Sequence, residues 1–162
     1  MIILGVDPGS QRTGYGIIET DGRRHSLLTH GAITAPARAD LPARLALIHA
    51  GVTRLIVSHN PDALAVEDVF HAVNTRSALV LGHVRGVILL AGAQAGLPVH
   101  EFPPATVKVQ VTGYGRAEKS QVALMVARLL QLSSVGPAGD AADALAVALC
   151  HAALFRSGIP AT

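Results

Sequence analysis

The chain has 162 residues, half of them hydrophobic, and a length that fits one domain with a sizeable buried core. This composition excludes an intrinsically disordered chain. The formal net charge of +2 excludes a strongly acidic protein and suits a polyanionic partner, although charge alone does not establish one.

The first third of the sequence predicts an antiparallel meander of three strands. The predicted strands span residues 2–7, 14–20 and 24–35. Pro8-Gly9 and Asp21-Gly22 are turn sequences at the two places where the chain must reverse direction. The first strand is apolar throughout and ends in an acid, Asp7.

Helical spacing and short apolar strands alternate in the middle of the chain. A helix is predicted between the cap Asp40 and the stop Asn60-Pro61, followed by a strand at 63–67, a helix from Asn74 to about residue 95, and a strand at 97–102. The second helix is apolar on more than one face. It is therefore expected to be covered on two sides, by the sheet and by either a neighbouring helix or another subunit.

The last third of the chain is predicted to be helical, at residues 117–132 and 140–156. The segment after Pro103-Pro104 has no clear pattern. Three hairpin strands followed by parallel strands with helical crossovers predict an α/β fold, a mixed five-stranded sheet flanked by helices. We assign residues 1–158 to this single domain and residues 159–162 to a C-terminal tail.

Two further expectations concern the environment of the protein. The single Cys150 excludes an internal disulfide and is expected to be a buried, inert thiol. The N-terminus has no basic targeting region. The longest apolar stretch of the chain, at residues 86–99, is interrupted by Gln94, glycines and Pro98. The sequence therefore predicts a cytoplasmic protein with no membrane partner.

Four carboxylates occupy the ends of apolar elements. Asp7 and Glu67 end two strands, and Asp140 and Asp143 begin the last helix with a spacing that puts both on one helix face. A buried acid is costly unless a cation balances it, and no Lys or Arg neighbours Asp7 or Glu67 in sequence. Four converging carboxylates would suit Mg²⁺ or Mn²⁺ and phosphodiester chemistry.

Each of these acids also has a simpler explanation, with the exception of Glu67. Asp7 could form the turn before Pro8, and Asp140 or Asp143 could cap the last helix. Glu67 ends a buried strand, where an acid has no capping role.

Three more side chains are candidates for contact with a polyanion. Lys119 lies near Gly113 and Gly115, whose small size lets a phosphate approach, but it could also be a solvated surface residue. Phe70 could stack on an unpaired base or pack in the core. Arg76 could bind a phosphate or simply face solvent.

Several motifs occur in a fixed order along the chain: Gly5-Val6-Asp7-Pro8-Gly9, Val66-Glu67-Asp68-Val69-Phe70, Lys108 followed by the stretch from Gly113 to Lys119, and Asp140-Ala141-Ala142-Asp143. Together they resemble the RuvC family of bacterial Holliday-junction resolvases, over residues 3–155. The resemblance implies a ribonuclease-H-like fold and a homodimer. It also implies Mg²⁺-dependent cutting of four-way DNA junctions by paired nicks, in recombination and repair.

The same resemblance implies roles for individual residues and partners. Two Mg²⁺ ions per subunit, replaceable by Mn²⁺, would be held by Asp7, Glu67, Asp140 and Asp143. Lys108 and Lys119 match functional basic positions, with Lys119 catalytic as well as DNA-binding, and Phe70 matches an aromatic residue beside the site. The implied protein partners are the branch-migration proteins RuvA and RuvB.

Other classes of protein share parts of this pattern. Phosphotransferases of the actin and sugar-kinase class use a similar strand and turn, but they need a second, similar domain that 162 residues cannot contain. A non-catalytic nucleic-acid module would gain nothing from four acids that repel phosphate. A resolvase-like nuclease that acts on RNA or on flaps remains open on chemical grounds.

Overall fold

The computed structural model describes residues 1–68, 74–133 and 139–157, and these residues form five strands and five helices. They are β1 (Ile2–Asp7), β2 (Arg12–Thr20), β3 (His25–Thr34), α1 (Leu41–His59), β4 (Ala63–Glu67), α2 (Thr75–Gln94), β5 (Val99–Phe102), α3 (Pro104–Thr112), α4 (Lys119–Leu129) and α5 (Asp140–Ser157). The strands form one mixed sheet, as predicted, and their order in it is β3-β2-β1-β4-β5. The predicted boundary between residues 158 and 159 lies outside the described residues.

The central strands divide the core into two layers. Leu4 and Val6 of β1 belong to the layer under α1 and α2, whereas Ile3 belongs to the layer under α3, α4 and α5. Because successive side chains of a strand point to opposite faces, Asp7 is on the same face as Ile3. The same alternation along β4 brings Glu67 to this face. Both strand-end acids therefore lie on the side of the sheet that α5 covers.

Two glycines allow α5 to lie close to the middle of the sheet. A Cβ atom on Gly5 would overlap the carbonyl oxygen of Ala144, and a Cβ atom on Gly16 would stand 2.6 Å from Cγ of Leu145. Gly5 and Gly16 are paired across β1 and β2. Their missing side chains bring the first turns of α5 next to the end of β1.

Most predicted elements are confirmed, and the differences lie toward the C-terminus. β4 has the predicted bounds, and Asn74 caps α2 as predicted. The unassigned segment after Pro103 is α3, whose first turn tolerates Pro104 because the first N–H groups of a helix need no helical partner. α4 is shorter than predicted at both ends, and it begins at Lys119 because the Glu118 backbone N–H donates to the Gln121 side chain in a capping box.

α1 and α2 are long and apolar enough to cross a membrane by length and composition alone. Each nevertheless buries one side against the sheet, through Ile48 and Val52 in α1 and through Val84 and Ile88 in α2. Core helices of globular domains pass the same test, so the two helices are weak grounds for a membrane span.

Candidate active site

The ends of β1 and β4 place two acids side by side. These strands are parallel neighbours with Val6 opposite Val66, so Asp7 and Glu67 follow as the next pair. Their carboxyl groups interact by side-chain hydrogen bonding. The sheet register therefore produces the contact that the strand-end positions predict.

Burial and crowding perturb both carboxyl groups. The pKa of Asp7 is raised to about 8, first by burial and then by the negative charges of Glu67 and Asp143. The pKa of Glu67 is also raised, again first by burial, while its hydrogen bond with Asp7 opposes the shift. Crowded acids of this kind either retain a proton or bind a cation.

α5 contributes the third acid of the site. The Asp143 side chain is 20% exposed, and its Oδ2 accepts a hydrogen bond of 2.7 Å from Lys119 Nζ. Asp140 is the first residue of α5, but its side chain lies outside the described residues. The place of Asp140 in the site stays a prediction from its spacing to Asp143 in the sequence.

The only two lysines of the sequence face the same pocket as the acids. The pocket has a volume of about 270 Å³, and its polar lining consists of Asp7, Glu67, Lys108, Lys119 and Asp143. The pKa of Lys119 is raised, mainly by its hydrogen bond with Asp143, so its ammonium group stays charged at neutral pH. The Lys119 side chain is also 74% exposed and thus accessible to a substrate.

The donors fit a divalent cation by their chemistry. Carboxylate oxygens are the ligands that Mg²⁺ prefers, and crowded acids with raised pKa values gain from a cation that replaces their proton. Within the described ranges 1–68, 74–133 and 139–157, no group of three or more His, Cys, Asp or Glu side chains is arranged closely enough to hold a metal ion. In the described residues, the cation that contacts the Asp143 carboxylate is the ammonium group of Lys119.

The structure does not place Arg76 in this pocket, and it does not describe Phe70. Phe70 lies outside the described residues, so its contact with bases stays a prediction. Arg76 is exposed in the first turn of α2 and lines a separate pocket together with Ser10 and Arg44. The structure thus does not bring Arg76 among the acids.

An arginine behind the site was missed in the sequence. Arg85 of α2 forms ion pairs with Asp68, at 3.1 Å, and with Glu101 of β5. Asp68 directly follows Glu67, and its backbone N–H donates to the carbonyl oxygen of Phe102. Arg85 therefore anchors the chain just after a site acid. The available signal was an arginine in the middle of a strongly apolar helix.

The chain matches a known protein family over most of its length. The family model described as "Crossover junction endodeoxyribonuclease RuvC" matches residues 3–151. A protein of that name from Citrifermentans bemidjiense is 51% identical over 163 residues, covering 97% of this chain and 99% of its own. The corresponding protein from Alkaliphilus oremlandii is 48% identical over 152 residues, covering 94% and 93%.

A solved structure extends the similarity to three dimensions. It is described as Thermus thermophilus RuvC in complex with Holliday junction substrate, and it matches this chain with a TM-score of 0.92 and 34% identity. The match covers 98% of this chain and 96% of the other.

Proposed function

The chain belongs to the RuvC family of crossover junction endodeoxyribonucleases, and we propose that the pocket of acids and lysines is where it cuts DNA. It is a Holliday junction resolvase of DNA recombination and repair. Both the resemblance found in the motifs and the ribonuclease-H-like fold are confirmed. The observation that supports the location of the site is that three acids and both lysines line one pocket.

Nucleases of this family depend on metal ions, and the finer proposal is two Mg²⁺ per subunit, with Mn²⁺ as a substitute. The residues proposed to hold them are Asp7, Glu67, Asp140 and Asp143. When bound, such ions activate a water and stabilise the leaving 3′ oxygen of an in-line displacement. The expected products are 5′-phosphate and 3′-hydroxyl ends, which a ligase can seal.

The lysines are proposed to act on the phosphate. Lys119 is charged, exposed and adjacent to Asp143. Its ammonium group can therefore leave the Asp143 carboxylate and contact the phosphate that is cut. A cation there stabilises the charge that develops in the transition state. Lys108, which lines the same pocket, is proposed as a DNA-binding residue. Arg76 and Phe70 are also proposed to contact DNA, at positions away from the reacting bond.

The proposed assembly is a homodimer that pairs along the outer side of α2. Leu79 and Leu90 there are 61% and 48% exposed, although both are large and apolar. Between them, Gly82 and Gly86 have no heavy atom of the described residues within 4 Å of a would-be Cβ, so another helix can approach closely. A two-fold dimer matches the approximate symmetry of a four-way junction and presents one site to each of two strands.

RuvA and RuvB are proposed as further partners, and the cytoplasm as the location. Both proposals derive from the membership of the family and from the kind of DNA on which the enzyme acts. Co-sedimentation of the protein with RuvA-bound junctions would test the first. If RuvA lowered the amount of protein bound to the junction, the partnership would be contradicted.

The proposed reaction is tested with a synthetic four-way junction labelled on each strand in turn, with and without Mg²⁺. We expect nicks in two strands of like polarity, only with metal, and nicks that ligase seals. A linear duplex with the sequence of one arm pair is the control. Equal cutting of the duplex, or preferential cutting of flaps or RNA, would contradict the proposed substrate.

A further inference from the structure

A second pocket opens beside the turn that follows β1. It has a volume of about 290 Å³ and is lined by Ser10, Arg44, Arg76, Ser77, Val80 and Leu81; we call it the arginine pocket. Ser10 is three residues after Asp7, so their Cα atoms are at most about 11 Å apart. A DNA strand that is held at the acids can therefore reach the arginine pocket.

Arg44 is held in position without being neutralised. Its Nη1 donates to the carbonyl oxygen of Ser10 at 3.3 Å, which ties α1 to the turn after Asp7. Its Nε is buried and has no acceptor among the residues that the structure describes. A buried N–H without a partner is costly, and a ligand that accepts its hydrogen bond relieves the cost.

A second arginine, Arg76, also lines the arginine pocket. Arg76 is exposed at the start of α2, next to Ser77, which also lines the pocket. In the described part of the chain, neither Arg44 nor Arg76 has an ion pair with a carboxylate. Two guanidinium groups with serine neighbours and no acid among the lining residues form a donor set for a phosphate.

We infer that the arginine pocket binds a phosphodiester of the junction strand that is being cut, away from the reacting bond, with Arg44 as the principal contact. The inference rests on the proposed function, which supplies the DNA. Since Arg44 also contacts the turn after Asp7, this contact would fix the register of the strand relative to the acids. Arg44 is thus a binding and positioning residue.

The test measures binding of a fluorescent four-way junction in EDTA over a range of salt concentrations. The logarithm of the binding constant should fall linearly with the logarithm of salt concentration, and Arg44→Gln should lower the slope by about 0.9 for each phosphate that the variant no longer neutralises. Arg54→Gln is the matched control, because Arg54 is an exposed residue of the same helix that lines a different pocket. It should change the slope less.

A neutral methylphosphonate moved along the cleaved strand locates the contact. At one position away from the reacting bond, it should weaken binding of the unsubstituted protein but not that of Arg44→Gln, because the two changes remove the same interaction. Arg76→Gln, at an exposed position that should not disturb folding, should lower the salt slope in the same way. A full effect of the methylphosphonate in both arginine variants would overturn the inference.

Two other results separate the inference from the proposed function. In the first result, the unsubstituted protein binds the junction, but Arg44→Gln and Arg54→Gln show the same salt dependence of binding. The arginine pocket then does not bind DNA, and only the inference is wrong. A change in sedimentation with no change in DNA affinity would also overturn it, since the pocket would then receive an acid of a second copy. If the unsubstituted protein does not bind the junction, both fail.

Discussion

Asp7 and Glu67 are individually unfavourable residues for the fold. Both are partly buried beside each other, and burial together with neighbouring negative charge raises the pKa of Asp7 to about 8. A chain usually retains such acids where their charge serves chemistry. The same repulsion makes their removal informative, because activity and stability should change in opposite directions.

Asp7→Asn is expected to abolish cutting and to raise the melting temperature. The same loss of cutting is expected for Glu67→Gln, Asp140→Asn and Asp143→Asn. Cutting should fall by more than about 100-fold, since even the groups behind metal ligands contribute 10- to 100-fold. Junction binding in EDTA should be kept or become tighter, because the negative charge that faces the phosphate is removed. Gel assays of cutting and binding, with thermal melts, provide the measurements.

The control for this set is Glu19→Gln, which removes an exposed acid at the opposite end of β2 from the site. It should leave cutting unchanged. Cutting at the unsubstituted rate by any one of the four site variants would show that its acid is not needed.

Lys119→Ala should lower the rate of cutting more than it lowers junction affinity. The ammonium group is 2.7 Å from Asp143 and is 74% exposed, so its main effect is on charge that develops during the reaction. Single-turnover rates and binding constants should be measured at the same salt concentration, with Lys108→Ala for comparison. Equal losses in rate and affinity would make Lys119 an anchor for DNA instead.

The position of α5 relative to β1 controls whether Asp143 of α5 comes close to Asp7 and Glu67. That position depends on a backbone contact at Gly5, where a Cβ atom would overlap the carbonyl oxygen of Ala144. A helix carbonyl cannot move without the helix, so the whole of α5 must respond to a larger residue. A methyl group added at Gly5 should therefore displace the acid that α5 contributes to the proposed active site.

Gly5→Ala is expected to lower the free energy of unfolding by about 1–3 kcal/mol and to displace α5 from β1. Cutting at a temperature well below the melting transition should fall by more than the folded fraction does. Ile3→Val is the control, since it should lower stability by about 0.5–1.5 kcal/mol without moving α5. If both variants cut at the same rate per folded molecule, the close approach does not position the acids.

The outward side of α2 is open to a sharp test of the proposed dimer. The sequence left undecided whether Leu81 or Val84 faces outward; Val84 is fully buried, Leu81 is half-buried, and Leu79 is 61% exposed. Leu79→Glu should therefore give monomers by sedimentation and lose paired incision. Val57→Glu, at a 78% exposed position of α1, is the matched control and should stay dimeric. A monomeric wild-type protein that nicks both strands in one encounter would contradict the dimer.

The layer under α3, α4 and α5 encloses a histidine, His151, from which we expect a dependence of stability on pH. His151 is 4% exposed, and its ring lies 4.6 Å from the ring of His100. Its pKa is lowered from 6.5 to about 4, first by burial and then by the charge of His100. A proton on His151 therefore favours the unfolded chain.

This histidine should lower the stability of the protein as the pH falls from about 6.5 toward 4. In that window the unfolded chain binds a proton that the folded chain does not, whereas above pH 7 the contribution is constant. The raised pKa of Asp7 acts with the opposite sign, so the test compares melting temperatures of the protein and of His151→Leu. Their difference should change across the window, and parallel curves would contradict the prediction.

The strands that carry the site acids are predictable from local chemistry. β1 and β4 are short apolar runs bounded by turn residues, and each ends in an acid for which neither hydrophobicity nor strand propensity gives a reason. Because side chains alternate along strands and neighbouring parallel strands share an edge, the meeting of Asp7 and Glu67 follows from these runs. The family motifs are also short contiguous stretches, so they can be found in the sequence without knowledge of the tertiary structure.

Contacts between distant parts of the chain are needed for the rest of the site. The hydrogen bond of Lys119 to Asp143 joins residues 24 positions apart, and the ion pairs of Arg85 join α2 to two other segments. The outward side of α2 is equally inaccessible to sequence, because a helix that is apolar all round has no polar face to indicate direction. Packing against the sheet determines which side of α2 faces outward, since only one side of a helix can fit the grooves that the strands present.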